Sequence, residues 1–190
     1  MVSPANLTTA TTGLASVRRL CIGLLGLTIG WQATAHPASA RLGEEFPAYK
    51  AKTAKTYSAN GEKKEGNNLN TSFNVQLPPD TQKASPGYSI AVTVTSVNGK
   101  ISGQSMTVRT GMNPVAGGGM ATIAAFFFGY EAIGKPVPRD KAKAEDHFRK
   151  FSGAVAAALL GTAQNVRFPG YAGTITLRRD PQGNLLVAVK

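Results

Sequence analysis

Tyr88-Ser89-Ile90-Ala91-Val92-Thr93-Val94-Thr95-Ser96-Val97-Asn98-Gly99 decides the fold class. Tyr88, Ile90, Val92 and Val94 alternate with Ser89, Ala91, Thr93 and Thr95. A period of two turns one face of a strand toward a core and the other toward water. The β-branched content agrees with a strand. Asn98-Gly99 tolerates the positive φ of a type I′ turn, so residues 88–110 read as a hairpin. In the return strand Ile101 is out of phase with Met106 and Val108. Gly103 between them reads as a bulge that resets the register.

Strand signals continue on both sides. Phe73, Val75 and Leu77 alternate with polar neighbours until Pro78-Pro79 stops them. Near the end of the chain Thr174-Ile175-Thr176-Leu177 leads into Asp180-Pro181-Gln182-Gly183, a turn sequence, and Leu185–Val189 returns as a second hairpin. Between the hairpins Asp140 can cap a helix on which Ala144, Phe148, Phe151, Val155 and Leu159 form one stripe. Gly161 is a suitable residue to end it. The expectation is a single α+β domain over residues 71–190: an antiparallel sheet of four or more strands, built from two hairpins, with one main helix packed on it.

The segment before that helix is the most unusual. From Thr110 to Tyr130 there is no charged residue over 21 positions, enough to span a bilayer on length alone. Asn113, Pro114 and Gly117-Gly118-Gly119 make its first half a poor helix. The second half, Met120–Tyr130, reads as a buried strand or a short core helix. Phe126, Phe127 and Phe128 cannot all face one side of either element. The run is therefore buried on several faces, or some of it is exposed as a contact patch. Met120, Ile123, Phe126, Phe127, Phe128 and Tyr130 are followed closely by Lys135, Arg139, Lys141 and Lys143. An apolar patch beside a basic cluster has the composition of a peripheral membrane contact, and these residues form the candidate binding site.

The beginning of the chain reads as an address. Arg18-Arg19 precedes the uncharged run 20–31, and two small-residue sites follow, ending at Ala35 and at Ala40. Basic, then apolar, then A-x-A is the order of a secretory signal peptide, with cleavage expected after Ala35 or Ala40. Residues 41–70 are polar, rich in Lys and Glu, and punctuated by Asn60-Gly61 and Gly66-Asn67-Asn68. They read as a flexible polar arm. The expected location is exported, periplasmic or extracellular, with possible attachment to a membrane.

Composition narrows the function classes. The chain has 190 residues, 21 Lys+Arg against 10 Asp+Glu, a net charge of +11 and one cysteine. Loss of the signal would remove Cys21 with Arg18 and Arg19, leaving a basic domain without sulfur chemistry. Asn70-Thr71-Ser72 fits the N-glycosylation sequon. No zinc motif, nucleophile elbow or phosphate loop occurs, and no cofactor is implied. A nucleic acid is not the expected partner, because export removes it and aromatics do not interleave with the basic runs. The leading expectation is a non-catalytic envelope or secreted binding protein. Its partner would be an anionic lipid or envelope polymer, a protein, or a second copy. Two other readings stand beside it: a small hydrolase using its acids or His147, and a protein that inserts residues 110–130 into a membrane.

Overall fold

The computed structural model describes residues 41–190 apart from Pro169 and Ala172, so the expected signal peptide and cleavage sites lie outside the described residues. These residues form an α+β fold with one seven-stranded antiparallel sheet and four α-helices. In chain order the elements are α1 (Phe46–Thr53), β1 (Tyr57–Glu65), β2 (Asn68–Val75), α2 (Pro79–Ala84), β3 (Tyr88–Val97), β4 (Lys100–Thr110), α3 (Pro114–Ala132), α4 (Lys141–Leu159), β5 (Gln164–Val166), β6 (Ile175–Arg179) and β7 (Leu185–Val189). The strand order is β1-β2-β3-β4-β7-β6-β5. Four strands meander out, the chain crosses through α3 and α4, and three strands meander back until β7 pairs with β4.

Both expected hairpins are present. Val97 faces Lys100 across a two-residue turn, with Asn98 at φ 51° and Gly99 at φ 80°, the two positive angles of a type I′ turn. The register shift opposite Thr95 and Ser96 leaves Ser102 unpaired beside Gly103, and this bulge brings Ile101 back to the buried face. In the second hairpin the Asp180 carboxylate accepts from the Asn184 backbone N–H at 2.8 Å and closes the turn.

The helices lie on one face of the sheet. That face carries Tyr57, Phe73, Val92, Met106, Val187 and Leu177, all buried. Helix α1 covers β1 and β2: the Tyr49 ring meets Tyr57 at 6.4 Å and Phe73 at 6.1 Å, both edge-on. Helix α3 lies over β4 and β7, and α4 over β5, β6 and β7. The opposite face is a row of small residues. Ser72 and Thr93 share a hydrogen bond, and Thr95 donates to Asn70. The sequon Asn70-Thr71-Ser72 thus sits inside β2, paired on both sides, with Thr71 fully buried.

Three expectations change. The supposed arm 41–70 holds α1, β1 and the start of β2. It lacked a periodic signal because β1 is an edge strand whose residues after Tyr57 are all exposed, and α1 buries only Phe46, Tyr49 and Thr53. The sheet has two long helices on it rather than one main helix. The second is α3, expected as a loop followed by a strand or short helix.

Glycine explains why α3 forms there. A Cβ on Gly117 would stand 1.7 Å from the Thr110 carbonyl oxygen, so only glycine lets the helix pass the end of β4. Gly118 has open space around the same position. We predict opposite outcomes for the two alanine variants in urea unfolding. Gly117→Ala loses more than about 3 kcal/mol or fails to fold. Gly118→Ala gains up to about 1 kcal/mol from helix propensity.

Candidate functional site

Helix α3 is buried on nearly all sides, and its faces have different roles. Ala121, Ala125, Phe128 and Ala132, spaced four, three and four, have no exposed surface and lie on the face turned to the sheet. Phe126 and Tyr130 point sideways to α4. Met120, Ala124, Phe127 and Glu131 form the least buried stripe and are still half-buried. The adjacent phenylalanines thus take different directions: Phe126 and Phe128 are buried and Phe127 is half-buried. Among the described residues no helix is long and apolar enough to cross a membrane.

The seam between α3 and α4 is aromatic. Phe126 packs edge-on against Phe148 at 5.2 Å, Phe151 at 5.6 Å and Tyr130 at 5.1 Å. Phe168, from the segment after β5, closes over Tyr130 at 4.7 Å. His147 stands inside this group, 4.8 Å from Phe168 and 5.5 Å from Phe126. The Tyr130 hydroxyl and His147 Nδ1 are hydrogen-bonded, which ties α3 to α4. His147 Nε2 is buried and has no hydrogen-bond partner. Burial holds the imidazole below its ordinary pKa, Lys150 adds to the effect, and Asp146 opposes it.

In sequence His147 stands among the charged residues Asp146, Arg149 and Lys150. Its spacing of four from Phe151 was the signal that it belongs to the buried stripe. The acids around it have separate tasks. Asp140 caps α4 by accepting from the Lys143 N–H at 3.1 Å. Glu145 pairs with Lys141. Asp146 pairs with Arg149 at 2.6 Å and Lys150 at 2.7 Å. Among the described residues no group of three or more His, Cys, Asp or Glu could hold a metal ion. No carboxylate bonds to His147, so the catalytic arrangement of an acid behind an imidazole is not assembled at this histidine.

The candidate binding residues therefore separate into two groups. Ile123, Phe126, Phe128 and Tyr130 are 7%, 3%, 0% and 2% exposed and belong to the core. Met120 and Phe127 are half-buried. Lys135, Arg139, Lys141 and Lys143 are exposed on the connection between α3 and α4 and on the first turn of α4. Large hydrophobics do reach solvent, but elsewhere. Met112, Val115 and Leu160 lie just before α3, in its first turn and just after α4, at the end of the antiparallel pair opposite the basic turn. The patch expected from Phe126 and Phe128 beside the lysines is not on the surface.

Charge accounting sharpens the basic turn. Glu45, Glu62, Glu65, Asp80, Glu145 and Asp146 pair with lysine or arginine. Glu44, Asp140 and Asp180 accept from backbone N–H groups. Burial pushes the Tyr49 and Tyr57 phenols up, and the charge of the half-buried Glu131 adds to this. These are the 10 acids of the chain. Lys135, Arg139 and Lys143 have no acid partner among the described residues.

Set against protein families, curated proteins and solved structures, the chain matches none.

Two expectations follow for the seam. Phe126→Ala removes a ring at the centre of the aromatic group and should cost about 3–5 kcal/mol in chemical denaturation. The second concerns pH. Above the ordinary histidine value, about 6.5, the imidazole is neutral both folded and unfolded and adds no pH dependence. As pH falls below it the unfolded chain binds the proton first, so stability declines until the lowered folded value is passed. Urea midpoints from about pH 7.5 to about pH 4.5 should show this slope in wild type and a shallower one in His147→Phe.

Proposed function

We propose that the chain is an exported, non-catalytic binding protein whose basic turn, Lys135 to Lys143, contacts an anionic surface of the cell envelope. The observation that carries this reading is the exposure of Lys135, Arg139 and Lys143 with no ion pair to an acid among the described residues; Asp140, which lies among them, caps the start of α4. Exposed cations on this connection are free to meet phosphates. Each is worth about 1 kcal/mol next to anionic lipid. Pro136 and Pro138 stiffen the connection, and Val137 packs against the core, which holds the cations outward. The signal-like order of residues 18–40 supports export, where such a surface is met.

The test is co-sedimentation with vesicles of phosphatidylglycerol and phosphatidylcholine. Wild type should sediment at low salt and release as ionic strength rises past about 0.1 M, where screening acts within about 10 Å. A variant with Lys135, Arg139 and Lys143 all changed to glutamine should bind about a hundredfold more weakly, the product of three contacts of about 1 kcal/mol. Equal sedimentation of the variant and wild type would sink the assignment to this turn. If wild type stays in the supernatant and light scattering shows a dimer, the partner is a second copy rather than a surface.

A further inference from the structure

The α3–α4 pair is closed at its turn end by one polar contact in an otherwise aromatic seam. Tyr130 lies near the end of α3 and His147 near the start of α4, and their hydrogen bond brackets the connection that carries Lys135, Arg139 and Lys143. Whichever tautomer the ring adopts, Nε2 stays buried among Phe126, Phe168 and Tyr130 without a partner. A neutral imidazole is tolerated there. A charged one places an unsolvated positive charge in the same apolar space.

The groups that act on the ring are few. Its own helix supplies Asp146, which favours the charge, and Lys150, which opposes it. Asp146 is already held by Arg149 and Lys150, so it is a weak counter-ion. From α3 the ring meets the Tyr130 hydroxyl. Glu131, the next residue, is on the stripe that acts on Tyr49 and Tyr57 instead. From the segment after β5 it meets Phe168, while Arg167 beside it is exposed. Neither of these elements brings an acid to it.

We propose that His147 is a proton-operated latch: on protonation its ring leaves the aromatic seam, α3 and α4 part at their turn end, and the basic turn is freed to follow an anionic surface. The opening stands on the geometry of the seam; the consequence for binding rests on the surface reading above. The direction is favourable for such a contact, because an anionic surface concentrates protons and the released imidazolium adds a cation beside Lys143.

Hydrogen exchange of the full chain and vesicle sedimentation, each near pH 7.5 and near pH 5, test both parts. After correction for intrinsic rates, exchange in residues 133–147 should rise about tenfold in acid for wild type. Vesicle binding should rise with it. His147→Phe keeps an aromatic ring without titrating and should show neither change. Tyr130→Phe removes only the hydroxyl and should leave the turn more open at both pH values. Equal acid responses in wild type and His147→Phe overturn the latch, even if both bind vesicles. Acid opening in wild type alone, with no vesicle binding at either pH, supports the latch and removes the surface reading. If neither variant folds, the wild-type imidazole followed by NMR decides. A midpoint below the ordinary histidine value that coincides with the exchange midpoint supports the latch, and a titration uncoupled from exchange overturns it.

Discussion

The closeness of α3 to β4, set where Gly117 passes the Thr110 carbonyl, is the constraint around which the rest of the fold is arranged. A helix held at that distance can turn only small side chains and a few well-placed rings toward the sheet. Ala121, Ala125 and Ala132 meet that demand, with Phe128 between them. The large side chains must then go sideways. Phe126 and Tyr130 do so, and they create the aromatic seam that receives Phe148, Phe151 and Phe168 from later in the chain. Helix α4 is thereby placed over β5, β6 and β7 and covers the second half of the sheet. No disulfide is available to these residues, so edge-to-face aromatic packing and buried aliphatic area carry the cohesion.

What could be read in advance follows from how many sides of each element touch water. Strands β3 and β7 have one dry face and one half-wet face, so alternation survives in their sequences, and both hairpins were legible with their turns. The bulge at Gly103 was legible for the same reason, because it moves Ile101 between faces. Helix α3 has almost no wet side, and its apolar residues therefore show no period of 3.6. Its glycines, read as breakers, are what permits its approach to the strand. Strand β1 fails in the opposite way: it is wet on both faces after Tyr57, and an edge strand of that kind has the composition of a loop. Lys63, Lys64 and the bulge between Ala59 and Gly61 discourage pairing with another chain there.

The candidate site was legible in its charges and not in its apolar half. Lysine and arginine are almost never buried without a partner, so Lys135, Arg139, Lys141 and Lys143 could be placed on the surface from identity alone. Phenylalanine has no such obligation, and the side it takes depends on packing that local sequence does not record. His147 lies between these cases. Its charged neighbours set the local composition, yet a spacing of four from Phe151 decided its direction.

Neighbours in sequence need not be neighbours on the surface, and this bears directly on the proposed binding surface. An apolar run followed by a basic cluster describes a peripheral contact only if both are exposed on one side. Here the run is consumed by the core, and the exposed hydrophobics Met112, Val115 and Leu160 stand at the far end of the α3–α4 pair. On the proposed reading the basic turn acts through charge without an apolar anchor beside it. A contact of that kind is long-ranged, weakened by salt and readily reversible. It is also sensitive to the posture of the turn, since a few ångströms decide whether a cation reaches a phosphate within a Debye length. The packing that buries the phenylalanines also fixes that posture, and its imidazole member, His147, sits at the point where the turn is fastened.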